Sequence, residues 1–325
     1  MWKGLASTPC RSLSLRIPAR LLASPTVAPL PIRSNFDQQV SEELNCLEGA
    51  SEFTYTSSAT CLVQVLDASI ATQKIAFDSL ANVTGRDSDH KAIDEYFDDD
   101  STEMLDACNN LSEKVEIIRK YVESLRVVSH LLDGQVEPSA MALARAQDVL
   151  ESCEAMLRRF TSQRPAHGTT IVACHESELG EILNGSKAMA LMACRFLGLS
   201  LSFRSKHGLC RSTTVIQYRR SPTSSSWLSS LHELQRQVKV EGEKHKRSSS
   251  SMTLEELRET VMAARDLREK LKSGKQSKLG VAVEELKRSC GELEEGIDVL
   301  EGRVKELYKT LIHVRMALLG ILSQA

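Results

Sequence analysis

Aromatic residues are scarce in this chain. Phe, Tyr and Trp together make up 4% of its 325 residues, although hydrophobic residues of all kinds make up 42%. Sheets draw on aromatic and β-branched side chains, whereas seams between helices are built well from Leu, Val and Ala. The composition therefore favours an all-α fold, and the chain is long enough for one large core or two small ones.

The chain also lacks a large excess of charge of either sign. Its 41 basic and 43 acidic residues give a formal net charge of −2. Such a balance produces no overall field that would attract nucleic acid or an anionic membrane. We therefore predict no nucleic-acid partner, and any charged partner must be bound locally.

Metal and disulfide motifs are missing. The nine cysteines are odd in number and include no C-x-x-C spacing. No H-E-x-x-H pattern is present among the histidines. These spacings exclude a disulfide framework and the usual zinc motifs, so we predict no metal, no cofactor and mostly reduced core cysteines in an intracellular protein.

Residues 1–34 contain no acidic residue but carry five basic ones and many Ser, Thr and Pro residues. This balance is typical of a plastid or mitochondrial transit peptide. The alternative is a disordered basic tail, because four prolines between positions 18 and 31 prevent a long amphipathic helix. The predicted compartment is cytoplasmic, with membrane association or, if residues 1–34 act as a transit peptide, the chloroplast as alternatives.

The C-terminal part of the chain has an apolar residue at every third or fourth position. This pattern predicts one helix of roughly 60 Å over residues 279–323, and a helix with one apolar stripe needs partner helices. The stripe consists of Val283, Leu286, Cys290, Leu293, Ile297, Leu300, Val304, Leu307, Leu311, Val314, Leu318 and Leu322.

A second heptad-spaced stripe predicts a long helix over residues 89–133. Its members are Phe97, Met104, Cys108, Leu111, Val115, Ile118, Val122, Leu125 and Leu132. We predict an antiparallel bundle of long helices with coiled-coil-like packing, in which the two stripes pack against each other or share a third helix. Either the bundle uses up both stripes, or a stripe remains available to a protein partner.

Shorter helices are expected between and before these two. Apolar spacing predicts them near residues 36–47, 62–83, 138–160, 177–203 and 227–240, and a capping box, Thr253-x-x-Glu256, opens another. Residues 204–226 and 242–252 are poor in apolar side chains and are predicted to be flexible linkers. Residues 35–325 then form one helical domain interrupted by those linkers.

Both predicted linkers place serines next to basic residues. Ser221 follows Arg219 and Arg220, and Ser248 and Ser249 follow Arg247. A phosphate added there would find cationic partners at once, so these three serines are candidate phosphorylation sites. The alternative is a serine-rich loop that is never modified.

Residues 186–203 form the most apolar stretch of the chain. Arg195 near its middle would cost about 2.5–3.5 kcal/mol in a membrane, which favours a buried core helix over a helix at the membrane surface and over a true span. If the stretch does touch a membrane, the contact residues would be Ala188, Leu191, Phe196, Leu199 and Phe203.

No residue set makes a convincing catalytic site. Residues 180–187 resemble a phosphate-binding loop, but Lys187 follows Ser186 instead of preceding it. Cys174, His175 and Glu176 are adjacent in sequence, and adjacent residues rarely converge on one substrate atom. We therefore predict a protein that is not an enzyme.

Three segments resemble the plant BYPASS-like proteins. They are residues 36–48, residues 96–109 with the Leu-Asp-x-Cys-Asn block at 105–109, and residues 283–319 with the Glu-x-Gly and Arg-x-x-Leu-Leu pattern. The resemblance runs from about Phe36 to the C-terminus. It implies a plant origin, no catalytic residues, and a role in restraining a root-derived mobile signal that affects shoot growth.

Three functions are consistent with these observations. The first is a non-enzymatic regulatory or scaffold protein that acts in root and shoot development and binds a protein partner through its amphipathic helices. The second is a peripheral membrane-associated trafficking adaptor that uses residues 186–203 and the basic linker. The third is an enzyme that acts on a small signal precursor inside the bundle. The sequence does not indicate the oligomeric state.

Overall fold

The structure of the protein is a computed structural model. It describes residues 34–49, 58–81, 89–133, 138–162, 171–173, 177–202, 216–218, 225–247, 253–273 and 279–323. The helices are α1 (Asn35–Gly49), α2 (Ala59–Leu80), α3 (Asp89–Glu95), α4 (Ser101–Leu132), α5 (Ala140–Ser162), α6 (Glu178–Ser200), α7 (Ser226–Arg247), α8 (Glu255–Ser273) and α9 (Leu279–Leu322). The strands are β1 (Ile171–Ala173) and β2 (Ile216–Tyr218).

Two of the helices begin at serines that cap them. The Ser58 hydroxyl accepts a hydrogen bond from the Cys61 amide at the start of α2, and the Ser177 hydroxyl accepts one from the Gly180 amide at the start of α6. Serine is favoured at this position because the first amides of a helix have no partner within the helix. The predicted helices near residues 62–83 and 177–203 are therefore present, with ends shifted by a few residues.

A π-helical turn at Tyr96–Asp100 joins α3 to α4. The residues on either side of the joint have α-helical dihedral angles, so the chain from Asp89 to Leu132 is one continuous helix. The sequence analysis predicted this helix over residues 89–133. It did not predict the π turn, which inserts extra backbone into a regular helix and shifts the faces of the residues before it.

Four helices form a first bundle. Helix α9 packs against α2 and α4, and α6 packs against the same two helices on the opposite side. The ring is therefore α9, α2, α6 and α4. The α2–α6 seam contains a buried polar pair, in which the Gln73 amide nitrogen donates to the Ser186 carbonyl at 2.9 Å. A satisfied polar pair of this kind fixes the register of two helices.

A second bundle shares α4 and α9 with the first. The other half of α4 packs against α5, the other half of α9 packs against α8, and α5 packs against α8. The Arg268 guanidinium of α8 pairs with the Glu154 carboxylate of α5 across the last of these seams. Because α9 has 44 residues and a length of about 66 Å, it is long enough to serve both bundles.

The two longest helices run antiparallel. Arg315 of α9 contacts Ser101 at the start of α4, whereas Lys287 of α9 pairs with Asp133 just after the end of α4. Arg119 of α4 pairs with Asp298 of α9 between these points at 2.6 Å. This confirms the predicted contact between the two long helices.

Other neighbouring helices run parallel, a feature that the sequence analysis did not predict. Asp67 and Lys74 of α2 pair with Arg303 and Glu306 of α9 in the same chain direction. Helices α4 and α6 are parallel for the same reason, since Asp100 pairs with Lys187 and Lys114 contacts the Gly198 carbonyl. Short loops enforce antiparallel packing only between consecutive helices, and these pairs are far apart in sequence.

Both predicted stripes lie in the core. In α9 every member from Val283 to Leu318 is buried, and only Leu322 at the end is half-exposed. In α4 every member from Met104 to Leu132 is buried. The all-α bundle is therefore confirmed, and both apolar stripes are buried inside it. A partner would have to bind a different surface.

Helices α1 and α7 flank the first bundle. The buried Asp37 carboxylate of α1 accepts a hydrogen bond from the Trp227 amide at the start of α7 at 2.9 Å, and Phe36 of α1 lies against Gly185 of α6. A Cβ atom at Gly185 would lie 2.7 Å from the Phe36 ring, so glycine is required for this close approach.

The predicted linkers are shorter than expected. Helix α7 continues to Arg247, through the first six residues of the predicted linker 242–252, because Glu and Lys support a helix there despite Gly242. Within the predicted linker 204–226, Ile216–Tyr218 pairs in parallel with Ile171–Ala173, and Ser226 begins α7. The β-branched residues Ile171, Val172 and Ile216 suit a strand. Apart from Ser225, the remaining linker residues and residues 1–33 lie outside the described part of the chain.

Candidate functional site

The π turn and the residues around it combine buried charge, an aromatic pair and exposed apolar side chains. Helix α6 supplies Lys187, and α9 supplies Arg315. We call Tyr96, Phe97, Asp100, Ser101, Lys187 and Arg315 the π-turn site. π turns occur often at functional sites, so this one is the first candidate.

The charged centre of the site is the pair of Lys187 and Asp100. The Lys187 ammonium bonds the Asp100 carboxylate and lies 3.5 Å from that of Glu103. Burial raises the pKa of Asp100, while the hydrogen bond and positive charge of Lys187 act in the opposite direction. Lys187 therefore offsets part of the cost of burying Asp100, and the pair holds α4 against α6.

The aromatic part of the site lies on the other side of the π turn. Tyr96 is buried, and burial raises the pKa of its phenol. Its ring meets the Phe97 ring edge to face, with 6.0 Å between centroids. The Arg315 guanidinium lies 5.2 Å above the Phe97 ring and donates to the Ser101 hydroxyl at 3.1 Å. These contacts fix the last turns of α9 against the π turn.

Phe97 was predicted to be a member of the buried stripe, but it is only half-buried. The fully buried residue is Tyr96. The π turn explains the shift, because its wider turn rotates the preceding residues relative to an α-helix. The heptad pattern is regular from Met104 onward, so it does not reveal that the π turn rotates Tyr96 and Phe97 relative to the stripe.

Exposed apolar residues of α9 lie next to the π-turn site. Met316 is 60% exposed and Leu319 is 45% exposed, and they are one helical turn apart. They follow Arg315, whose position is fixed by Phe97 and Ser101. We call Met316, Leu319 and the half-buried Ile312 the α9 apolar face.

Acidic residues are concentrated in the π turn and the first turns of α4, where Arg315 of α9 makes its contacts. Residues 92–106 contain seven acidic residues and no Lys or Arg. Asp100 and Glu103 face Lys187, whereas Asp94, Asp98, Asp99 and Asp106 are exposed. The site therefore offers apolar contact area beside negative charge, which suits binding of a cationic amphipathic surface.

A second polar feature lies where the two bundles meet. The Glu256 carboxylate of α8 accepts a hydrogen bond at 3.1 Å from the Ala59 amide, the first residue of α2. Helices α2 and α8 both begin at this point, near Gly296 of α9. Two helix N-termini carry partial positive charge, and one carboxylate between them stabilises both.

The capping box that predicted α8 is thus connected to other elements. The Thr253 hydroxyl donates to the Ser202 carbonyl after α6, and Glu256 binds the amide of α2. The sequence pattern correctly indicated a helix start. It gave no indication of the contact between Glu256 and α2, because that contact spans 197 positions of the chain.

Replacing Glu256 with alanine is expected to lower the free energy of unfolding by about 1–2 kcal/mol, because α2 loses a capping acceptor and two helix N-termini lose a counter-charge. Glu256→Gln should lose less, since its amide oxygen can still accept the hydrogen bond. Urea unfolding would measure both changes. The control is Glu255→Ala, whose side chain pairs with Arg258 one turn on, and a loss there equal to that of Glu256→Ala would contradict this role.

The cysteines of the described chain lie mostly in the core. Five of the six are buried, and the Sγ atoms of Cys108 and Cys194 are 3.9 Å apart between α4 and α6. Burial raises the pKa of Cys61 and of Cys153 to about 11 and that of Cys290 to about 12. A neutral thiol is a poor nucleophile, so these side chains act as core residues at neutral pH.

A small cavity lies between α4, α5 and α8. Its volume is about 10 Å³, which is room for a single water molecule. The walls include Tyr121, Cys153, Val261 and Arg268. In the described ranges no group of three or more His, Cys, Asp or Glu side chains is arranged to hold a metal ion.

The candidate membrane contacts are largely inside the protein. Ala188, Leu191 and Phe196 are buried, Leu199 is half-buried, and Phe203 lies outside the described residues. Helix α6 packs against α2 and α4, and in this fold the side chains of Ala188, Leu191 and Phe196 are not at the surface. No helix in the described ranges has the length and hydrophobicity needed to cross a bilayer.

The other candidate sites have different outcomes. Ser221, Ser248 and Ser249 lie outside the described residues, as do Cys174, His175 and Glu176. Residues 180–187, which resemble a phosphate-binding loop, are part of α6, so their backbone amides are used by the helix. Lys187 instead pairs with Asp100, a contact that sequence spacing gave no means of finding.

A scan against protein-family models, a search of curated proteins and a search of solved structures found no match to this chain.

Proposed function

We propose that the protein is a non-enzymatic regulatory scaffold that acts in root and shoot development and binds a protein partner, as the resemblance to the BYPASS-like proteins implies. We place it in the cytoplasm. The observation that supports a binding role is the α9 apolar face, since Met316 and Leu319 project from a helix whose core-facing stripe is already filled. A second apolar face beside fixed charge is typical of a binding surface.

The shape of the bundle supports the scaffold role. Helices α4 and α9 run antiparallel along both bundles. Ion pairs cross their seam at the end of α4 and in the middle, and a hydrogen bond from Arg315 to Ser101 crosses it at the start of α4. Arg119 bonds the carboxylates of both Asp298 and Glu301 in this seam. An exposed face on a long, well-packed helix keeps its geometry, which lowers the entropy cost of binding.

Reciprocal grafting would test the developmental role. Seedlings that lack the protein in the root but not in the shoot should show altered shoot growth, whereas the opposite graft should grow normally. Restoring the wild-type chain in the root should rescue shoot growth. Normal growth of both grafts would overturn the proposed role in restraining a root-derived signal.

Proximity labelling with the full chain in the same tissue would test the scaffold role and the compartment. Cytoplasmic protein neighbours should be enriched with the wild-type chain but not with an unfolded variant. Labelling confined to plastid proteins would place the protein in the chloroplast instead. Absence of any enriched neighbour would overturn the scaffold proposal.

A further inference from the structure

The exposed large hydrophobic residues of the described chain are scattered along the sequence. They are Phe77, Val127, Met141, Met262, Val281, Val299, Met316 and Leu319. Of these eight, only Met316 and Leu319 lie within one helical turn of each other on the same helix. With half-buried Ile312 they follow the i, i+4, i+7 spacing of a single helix face.

The orientation of this face is fixed by its neighbours. Leu318 is fully buried, and Leu319, the next residue, is 45% exposed, so the α9 apolar face points away from the core. Arg315 lies over the Phe97 ring at 5.2 Å and contacts Ser101. These two contacts place the face beside the π turn and the start of α4.

The charge near the face limits the choice of partner: the π turn and the start of α4 are acidic, although α9 itself carries the exposed Lys309 one turn before Ile312. Asp98 and Asp99 belong to the same π turn as Phe97, and Asp94 and Asp106 lie within one or two turns of it. All four carboxylates are exposed. An acidic border attracts a cationic protein segment and repels anionic lipid and nucleic acid, whose surfaces are also negative.

The geometry also limits the shape of the partner. Residues 312–319 span two turns, or about 12 Å, which matches the apolar stripe of a short amphipathic helix. Methionine adapts its shape to different partner side chains, because its side chain is unbranched and flexible. Lys and Arg beside that stripe would meet the carboxylates of residues 94–106.

We propose that the α9 apolar face, bordered by Asp94, Asp98, Asp99 and Asp106, is the docking surface for a basic amphipathic helix of a protein partner. This inference rests on the proposed scaffold function and names the chemistry of the partner. The apolar contacts supply affinity, and the carboxylates set the orientation and speed the encounter.

A fluorescein-labelled model peptide of Leu and Lys, designed as an amphipathic helix of about 18 residues, serves as the probe. Fluorescence anisotropy measures its binding to the full chain. Two comparison peptides are needed: the same pattern with Glu in place of Lys, and the same composition with the leucines spread around the helix. The Leu/Lys amphipathic peptide should bind at least about tenfold more tightly than either, and more weakly as salt increases.

Two double variants locate the site. Met316→Ser with Leu319→Ser, and Asp98→Asn with Asp99→Asn, should each weaken binding of the Leu/Lys peptide about tenfold or more. The matched control is Met262→Ser with Val281→Ser, which removes two apolar side chains exposed in the second bundle. It should bind as the wild type does. Because all six side chains are exposed, circular dichroism should remain that of the wild type for every variant.

Several outcomes would overturn the inference. The first is that the Leu/Glu peptide binds as tightly as the Leu/Lys peptide. The second is that both double variants bind the Leu/Lys peptide as the wild type does. The third is that the control variant weakens binding as much as the double variants do. Vesicles of phosphatidylcholine with phosphatidylserine distinguish a membrane surface, and sedimentation of the chain with them through Met316 and Leu319 would also contradict it.

Failure of the docking surface can be distinguished from failure of the scaffold function. If the Met316→Ser, Leu319→Ser variant enriches the same neighbours as the wild type in proximity labelling, the docking surface is wrong and the scaffold function stands. If the wild type enriches no neighbours, the scaffold function itself fails. In that case the peptide measurement tests the docking surface but not the scaffold function.

Discussion

Replacing Leu300 with aspartate is expected to unfold the protein. Leu300 lies in the core of α9 with no exposed surface, where α2 and α4 pack against it. The variant loses the packing of a leucine and buries a carboxylate without a partner, which together cost more than about 5 kcal/mol. Domains of this kind are stable by about 5–15 kcal/mol, so most of the stability would be lost.

The adjacent residue provides a matched control. Val299 is 52% exposed on the same helix, so Val299→Asp introduces the same charge one position away, in water. Its effect should remain within about 0.5 kcal/mol. Circular dichroism at 222 nm and urea unfolding would compare the two variants. A Leu300→Asp protein with the melting curve of the wild type would show that this stripe is not the core.

The same comparison applies to α4. Ile118 is fully buried and Val127 is 50% exposed. Ile118→Asp should therefore cause loss of helical signal or aggregation, whereas Val127→Asp should not. If aspartate at the buried position unfolds the protein in both helices, α4 and α9 contribute to one cooperative core, as expected for helices shared by both bundles.

The core of the fold could be predicted from sequence because its signal is local and repeated. Stripe residues such as Leu293 and Leu300 recur every three or four positions, and burial of that stripe is the only stable outcome for a long helix in water. The contact between the two longest helices was predicted because each carries a heptad-spaced apolar stripe that needs a partner helix. Periodicity therefore predicted the helices, the core residues and the fold class.

The arrangement of the other helices depended on contacts that are distant in sequence. The pairing of Glu256 with the start of α2, and of Lys187 with Asp100, joins residues 197 and 87 positions apart. A single sequence carries no periodic signal for such pairs. The π turn at Tyr96 was likewise invisible, because a one-residue change of register is smaller than the tolerance of a heptad pattern.

The candidate site was only partly visible for the same reason. The acidic run that includes Asp98 and Asp99 is evident in the sequence, but nothing in the sequence connects it with α9. Met316 and Leu319 lay between stripe residues and carried no signal of their own. Only their exposure, and the contact of Arg315 with Phe97, brought the two features together.

Replacing Lys187 with methionine is expected to lower the free energy of unfolding by about 3 kcal/mol at neutral pH. The Lys187 and Asp100 side chains are only 14% and 19% exposed, so removing the cation leaves a largely buried carboxylate without its partner. Breaking a buried pair in this way costs about 3–5 kcal/mol, and the lower end applies because Asp100 keeps some contact with water. The nearby carboxylate of Glu103 repels that of Asp100, which makes the unpaired charge less favourable.

The loss should depend on pH. Burial already raises the pKa of Asp100 in the wild type, and the loss of Lys187 removes the main opposing influence, so the pKa rises further. Between the unfolded pKa near 3.8 and this raised folded value, the native state binds more protons than the unfolded state. The contribution of Asp100 to the free energy of unfolding is then least favourable at neutral pH and becomes more favourable as the pH falls. The loss of stability in Lys187→Met should therefore be smaller at pH 4.5 than at pH 7.

Urea unfolding at both pH values, with two further variants, would test this account. Lys187→Met combined with Asp100→Asn should recover at least half of the loss at pH 7, because the uncompensated charge is gone. Lys74→Met provides the control: Lys74 pairs with Glu306 on the surface and is 59% exposed, so its replacement should cost less than about 0.5 kcal/mol at either pH. If Lys187→Met cost no more than this control, or its deficit were the same at both pH values, the buried pair would not be what holds α6 against the start of α4.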